Sequence, residues 1–357
     1  MREEPLKIAI IAFSRQGIRT AQKAAGCFAA SQVRCFTIRR FVQEFPEFAG
    51  IPDPAGEFYR EQFEWADLMI FVCALGITVR KIAPWVKDKR TDPAVVSMDE
   101  RGEFAIAVLS GHIGGANRYA QQIAEKLGGK AVITTATDIN HRFSVDAWAV
   151  SRGMHIDDMK IAKEISAAIL ERDLPIRCDL PVDSGYPQGT IPCSLTRPEA
   201  GILISWKVEE PFSPTLRLIP KVVHLGIGCR KGVSADRIEQ SVSKVLAEHA
   251  IDPRAVKGVW TIDLKAEEEG LKELCRTRNW PLRVCSAEEL KQVPGDFSAS
   301  EFVQSVTGVD NVCERAALID ADRLIVRKTA ADQVTVAAAV RLDPVSFDPD
   351  PGFREKI

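Results

Sequence analysis

The feature that most limits how this chain can fold is an apolar run that ends on glycine. Phe104-Ala-Ile-Ala-Val-Leu109 is followed at once by Ser-Gly-His-Ile-Gly-Gly-Ala-Asn117. An unbroken apolar run reads as a strand covered on both faces, and Ala116, Tyr119, Ala120, Ile123 and Leu127 then recur at helical spacing. Strand, tight turn and helix make the unit from which parallel sheets are built. The unit recurs: Leu6 to Phe13 precedes Ser14-Arg-Gln-Gly17, Asp67 to Ala74 precedes Leu75-Gly-Ile-Thr-Val-Arg80, and Val222 to Gly228 precedes Cys229-Arg-Lys-Gly232. The rhythm predicts an α/β protein.

At 357 residues there is room for two or three domains. Two α/β rhythms flank a proline-rich stretch, so the expected fold is two α/β domains with mostly parallel sheets joined by a smaller Pro-rich middle module. The expected division is 1–142, 143–220, 221–343, and a mobile tail 344–357 without hydrophobic period. Short apolar runs between the prolines predict antiparallel strands in the middle module.

Charge and cysteine usage narrow the function classes. Forty-seven basic residues against 49 acidic leave a net charge of −2, which points neither to nucleic acid nor to an anionic membrane. No apolar run is long enough to span a bilayer, and the N-terminus lacks a signal-peptide core, so the expected location is the cytoplasm. The nine cysteines show no CxxC or Cys/His spacing, which predicts free thiols and no metal site. Neither a G-x-S-x-G elbow, an H-E-x-x-H pair, a P-loop nor a G-x-G-x-x-G turn is present.

What remains is a set of polar loops after strands, expected on one edge of the sheet. Gly76 opens a helix bearing Arg80 and Lys81. Ser110, Gly111, Gly114, Gly115 and Asn117 surround His112, the one side chain there that titrates near neutrality. Thr134, Thr135 and Asp138 follow a short strand, and Arg230 sits in the basic turn of the second α/β half. Glycine turns let a ligand approach the backbone, helix starts offer N–H donors to anions, and Arg and Lys pair with carboxylates. Each feature also has a bland reading as a structural turn or a solvated basic face. Asp99 and Glu100 read as turn residues of a hairpin, and Glu314 as a surface acid on a helix first turn. The set suits a polycarboxylated ligand and acid–base chemistry without a cofactor.

Several stretches resemble the cobalt-precorrin-5A hydrolase family (CbiG) of anaerobic cobalamin biosynthesis. They are Ala74-Leu-Gly-Ile-Thr-Val-Arg80, Asp88-Lys-Arg-Thr-Asp-Pro-Ala94, Leu109-Ser-Gly-His-Ile-Gly-Gly-Ala-Asn117 and Thr134-Thr-Ala-Thr-Asp138. In the second half they are Gly226-Ile-Gly-Cys-Arg-Lys-Gly-Val233, Gly308-Val-Asp-Asn-Val-Cys-Glu-Arg-Ala-Ala317 and Val334-Thr-Val-Ala337. The resemblance implies a hydrolase that opens the δ-lactone of a cobalt-containing corrinoid and releases acetaldehyde. The cobalt would arrive with the substrate, no cofactor would be needed, and partners would be the corrinoid and other enzymes of the pathway.

On that reading His112 is the expected general base or proton shuttle, and Asp138 its orienting partner. Gly114 and Gly115 amides would hold the oxyanion, and Arg80 a ring carboxylate. The remaining substrate contacts expected are Gly76, Lys81, Ser110, Gly111, Asn117, Thr134, Thr135, Arg230 and Glu314. A non-catalytic corrinoid carrier would use the same loops, so turnover is what separates the two.

Overall fold

In a computed structural model, residues 5–88, 91–111, 114–140, 142–197, 199–299 and 301–348 are described, the side chains of 137, 138, 301 and 302 excepted. Two compact units divide the chain at residues 151 and 152. The helix Val145–Ser151 therefore belongs to the first unit, whereas the expected boundary fell at 142.

The first unit is built on β1 (Lys7–Ala12), β2 (Gln32–Ile38), β3 (Ala49–Ile51), β4 (Leu68–Val72), β5 (Ala94–Met98), β6 (Phe104–Leu109) and β7 (Lys130–Val132). Its helices are α1 (Arg15–Ala25), α2 (Gly56–Trp65), α3 (Leu75–Ile82), α4 (Ala116–Leu127), α5 (Ala136–Ile139) and α6 (Val145–Ser151). One sheet has the order β3-β2-β1-β4-β5-β6-β7, parallel except that β6 runs against β5. Ile8, Ile10, Leu68 and Ile70 are fully buried on the face covered by α1 and α4, where Ile18, Ala21 and Ile123 meet them. Ala9, Ile11, Met69 and Phe71 fill the other face beneath Phe58, Tyr59 and Ile82. Burying each large aliphatic contributes about 1.5–3 kcal/mol, which is why the central strands read as continuous apolar runs.

The second unit contains two five-stranded sheets. The first is formed by β8 (His155–Ile156), β9 (Leu174–Cys178), β10 (Thr190–Pro192), β11 (Gly201–Ile204) and β12 (Thr215–Ile219), with α7 (Met159–Glu171) alongside. The middle module was expected to be antiparallel; instead β9, β10, β11 and β12 pair in parallel and only β8 opposes β12. Parallel strands usually need a helical crossover, and here no helix is assigned in the returns 179–189 and 205–214, so no helical period announces them.

The other sheet comprises β13 (Val223–Cys229), β14 (Val256–Ile262), β15 (Leu282–Cys285), β16 (Arg323–Ala331) and β17 (Val334–Val340). It carries α8 (Ala235–Glu248), α9 (Glu269–Arg278), α10 (Ala287–Gln292), α11 (Glu301–Thr307) and α12 (Val312–Leu318). Its order is β15-β14-β13-β17-β16, parallel on one side of β13 and antiparallel on the other.

Residues 344–348, expected to open a mobile tail, are docked instead. The Val345 amide donates to Pro181 O at 2.8 Å, that of Asp183 to Val345 O at 3.2 Å, and the Phe347 ring lies 5.4 Å from that of Tyr186. Val345 and Phe347 turn their side chains inward, and that burial holds the segment against the sheet of β9. The rest of the expected tail, 349–357, lies outside the described residues.

Candidate functional site

Register decides where the loops of the first unit end up. Ala12 pairs with Val72 and Val72 with Met98, so the chain leaves β1, β4 and β5 at a common carboxyl edge. The hairpin after β5 reverses the direction: Met98 pairs with Ala105 and Val95 with Leu109. The ends of β6 and of β7, which runs parallel to it, therefore lie at the opposite edge. The loops expected on one edge are split between two, separated by the five-residue length of β4, roughly 15 Å at 3.3 Å per residue. Gly76, Arg80 and Lys81 stand at one end, and Ser110 to Asn117 with Thr134 and Thr135 at the other.

The turn after β6 is held by its own groups. Ser110 adopts φ 54°, and its Oγ donates to Asp92 O at 3.1 Å. The amides of Ala116 and Asn117 donate to Ser110 O and Gly111 O, both at 3.1 Å. Asn117 Nδ2 donates to Thr135 Oγ1 at 2.9 Å, which ties the two polar loops together. A Cβ on Gly114 would lie 2.5 Å from Ser110 Cβ, and one on Gly111 2.8 Å from Asn117 Oδ1, so the glycines are there for closure of the turn. Two first-turn amides of α4 are thus consumed internally, contrary to the expectation that this helix start offers them to an anion. Gly115, at φ 81°, is the N-cap of α4, and its side-chain-free position makes no cap bond. Thr134 is exposed. His112 and the side chain of Asp138 lie outside the described residues, as does His141.

Beside this turn, Asp92 is buried and its Oδ2 accepts the amides of Lys87 and Asp88 at 2.8 and 3.0 Å. A cavity of about 390 Å³ at the same edge is lined by Lys7, Trp65, Trp85, Lys87 and Asp92 among others. None of these was expected at a site, because they come from sequence-distant loops.

At the carboxyl edge, α3 is anchored from below by Thr78, whose Oγ1 lies 2.8 Å from Ser97 Oγ and 3.5 Å from Cys73 Sγ. That inward residue fixes the outward ones: Leu75, Ile77 and Val79 are 42, 37 and 45% exposed, unusual for aliphatics beside a buried sheet. Arg80 is exposed with no carboxylate partner among the described residues, its Nη1 3.7 Å from where a Gly76 Cβ would be. Lys81 turns aside, its Nζ 4.8 Å from the centre of the Tyr59 ring.

Ser14 caps α1, accepting the Gly17 amide at 3.0 Å, and donates to Glu100 Oε1 at 2.7 Å. Thr20 Oγ1 also donates to Glu100 O at 2.6 Å. Asp99 is the turn residue expected: its carboxylate accepts the amides of Arg101 and Phe104 at 2.8 and 2.6 Å. Burial would raise its pKa, and these amide bonds outweigh that and lower it. Glu100 does more than turn the chain, since it reaches across to another strand's loop. No local sequence signal predicted that pairing over 86 positions.

In the second unit, Arg230 and Lys231 are exposed in the turn after β13. A cleft of about 950 Å³ opens there, lined by Lys231, Gly232, Ser234, Leu264, Lys265 and Val306 among others. Ser234 occupies the N-cap position of α8, yet its side chain makes no cap bond. Glu268 instead takes the Gly232 amide at 2.9 Å and Lys265 Nζ at 2.9 Å, and both lower its pKa.

Glu314 is not the surface acid expected. It is fully buried, and its carboxylate accepts the Lys328 amide at 2.7 Å, Asn311 Nδ2 at 3.0 Å, and the Ser298 amide and Oγ at 3.2 and 3.3 Å. Those bonds turn it inward as a tie between α12, β16 and the 298 loop, with no face left for a substrate. His224 is 1% exposed and stacked on Trp260 with ring centres 3.9 Å apart. Among the described residues no group of three or more His, Cys, Asp or Glu converges as a metal site, and no helix is long and apolar enough to cross a membrane.

Comparison with known proteins matches residues 57–138 to the family described as cobalamin synthesis G N-terminal, and residues 223–339 to that described as cobalamin synthesis G C-terminus. The chain is 32% identical to a cobalt-precorrin-5A hydrolase of Salmonella typhimurium over 359 residues, covering 94% of this chain and 98% of that one. It is 31% identical to a protein of the same name from Priestia megaterium, covering 93 and 94%. A solved structure of a cobalamin biosynthesis protein G homolog from Sulfolobus solfataricus aligns over 94% of this chain and 97% of that one, at 21% identity and a TM-score of 0.40.

Proposed function

This chain belongs to the cobalamin synthesis G (CbiG) family, and on that premise we propose that it is a cobalt-precorrin-5A hydrolase of cobalamin biosynthesis. It opens the δ-lactone of the cobalt-containing corrinoid, releases the extruded two-carbon unit as acetaldehyde, and yields cobalt-precorrin-5B. The observation that carries the reading is the 32% identity that runs through 98% of the Salmonella protein named for this activity, both α/β halves and the middle sheet included.

The geometry suits a carboxylate-rich macrocycle, and the reading takes the reaction as acid–base chemistry without a cofactor. Arg80 has no carboxylate partner of its own among the described residues and lies beside exposed aliphatics, which suits the rim of a corrin whose apolar ring bears acetate and propionate arms. Arg230 and Lys231 offer the same cationic chemistry on the second unit. The cobalt belongs to the substrate, and the expected setting is the cytoplasm alongside other enzymes of the pathway.

The test is anaerobic incubation of the purified protein with cobalt-precorrin-5A and an acetaldehyde assay over time. Release of many equivalents per protein is the expected result. Tight binding with a spectral shift and no acetaldehyde would instead mark a carrier of the intermediate.

A further inference from the structure

We infer that Glu100 is the general base of the lactone-opening step, positioned by Ser14 at the crevice above β1 and β4. The first-turn amides of α3 receive the carbonyl oxygen there. The inference rests on the hydrolase reading and deepens it by naming the place and the groups of its first step.

The topology supplies the place. In the order β3-β2-β1-β4-β5, the chain leaves β1 toward β2 on one side and leaves β4 toward β5 on the other. Connections that part in this way open a crevice at the carboxyl ends of the two strands, and open α/β sheets bind ligands there. Three loops meet at this point. Ser14 comes from the end of β1, Leu75 to Arg80 from that of β4, and Glu100 from that of β5.

The chemistry comes from what each loop brings. Glu100 is held at both ends, its backbone oxygen by Thr20 Oγ1 at 2.6 Å and its Oε1 by Ser14 Oγ at 2.7 Å. Ser14 is itself fixed by the Gly17 amide at 3.0 Å. Glu100 is exposed, and its Oε2 makes no bond among the described residues, so one carboxylate oxygen keeps a lone pair to use. Ala74 precedes α3 without a side-chain cap; the Ile77 amide turns to Ala74 O at 2.8 Å, and those of Leu75 and Gly76 have no partner among the described residues. Arg80 supplies a cation, and Leu75, Ile77 and Val79 an apolar surface. A serine–glutamate bond alone would be a turn staple. Its position among an uncapped helix start, an unpaired arginine and exposed aliphatics makes it a site.

In the step, a water oxygen bonds to the lactone carbonyl carbon while its proton passes to Glu100 Oε2. The carbonyl oxygen takes the negative charge beside the α3 amides. The ring C–O bond of the lactone then breaks, and the departing oxygen recovers the proton from Glu100. One water is consumed, a carboxylic acid and a hydroxyl are formed, and Glu100 returns to its starting state. The role expected of His112 in activating water thus moves to Glu100.

The experiment compares the full-length wild-type protein with Glu100→Gln, Glu100→Asp and Ser14→Ala on cobalt-precorrin-5A, following acetaldehyde release, substrate binding by spectral titration, and pH dependence. Glutamine keeps an oxygen for Ser14 and removes the base. Glu100→Gln should lower kcat at least ~100-fold with KM within about threefold, and should abolish the acid limb of the kcat profile. Glu100→Asp should recover part of the loss. Ser14→Ala should lower kcat about tenfold and shift the acid limb, which loss of a mere helix cap would not do. An active wild type with a Glu100→Gln variant that retains more than about a third of its kcat overturns the assignment alone. A wild type that binds the substrate and releases no acetaldehyde overturns the hydrolase reading, and this assignment falls with it.

Discussion

At the scale of single residues, His224 is the clearest case of a side chain whose meaning depends on what surrounds it. It is enclosed in β13 against Trp260, and neither ring nitrogen has a hydrogen-bond partner among the described residues. Burial, reinforced by the nearby charge of Lys257, lowers its pKa to about 4 from the ordinary 6.5. The unfolded chain therefore binds a proton between pH 6.5 and 4 that the folded protein refuses. Above pH 6.5 this contributes no penalty; as pH falls toward 4, stability drops by about 3 kcal/mol. His224→Phe, which keeps the stack on Trp260, should flatten that part of the curve, as read by urea denaturation at pH 7 and pH 4.5. Arg80 belongs to the same scale. Arg80→Ala should raise the KM for cobalt-precorrin-5A about tenfold with little change in kcat, because the residue holds a carboxylate that is present before and after reaction. The sequence marked Arg80 as a candidate from its place after a strand. It had nothing to mark Glu100, whose partner is distant along the chain.

At the scale of elements, the motif Gly308-Val-Asp-Asn-Val-Cys-Glu-Arg-Ala-Ala317 proves to be packing chemistry. Asn311 caps α12 by accepting the Glu314 amide at 2.9 Å, and Cys313 Sγ donates to Gly226 O at 3.0 Å. Helix and strand approach so closely that a Cβ on Gly226 would sit 1.9 Å from Cys313 O and 2.8 Å from Ala317 N. The contacting atoms are backbone and cannot swing aside. Gly226→Ala should therefore cost about 3 kcal/mol or more, visible as a lower urea midpoint with an unchanged slope. The cap at Asn311 is a local device, made with an amide three residues on. The burial of Glu314 was not legible in the sequence, since its partners come from Ser298 and Lys328 and only the fold brings them together. The split of the polar loops between two edges has a similar cause. A hairpin signal after β5 was readable, yet its consequence for every later strand end appears only when register is known.

At the scale of the molecule, the second unit shows how two sheets become one body. Arg217 of β12 donates to Asp252 Oδ2 at 2.6 Å and to Asp157 Oδ2 at 3.3 Å, and Arg254 reaches both carboxylates at 2.6 and 2.7 Å. Arg217 and Asp252 are 7 and 2% exposed, and without Arg217 the buried Asp252 carboxylate keeps only the bonds from Arg254. Arg217→Met should cost about 1.5–3 kcal/mol in thermal or urea unfolding. Burial alone would raise the pKa of Asp252, but bonds from Arg254 and Arg217 outweigh it and hold it at about 2. Its contribution is thus present above about pH 4 and lost as pH falls toward 2, a window below that of His224. An Asp252→Asn variant should lose stability at pH 7 and show a flatter acid response from pH 4 to 2 in the same measurement. The sequence by itself determined the α/β class, the buried central strands, the glycine turns and the family, because apolar periodicity and turn chemistry act over a few residues at a time. The tertiary structure alone decided that the middle strands run parallel, that the chain past β17 docks, that the polar loops occupy opposite edges, and that Ser14 meets Glu100. Each of these depends on strand order and register, which are set by packing between segments far apart in the chain and leave no local trace.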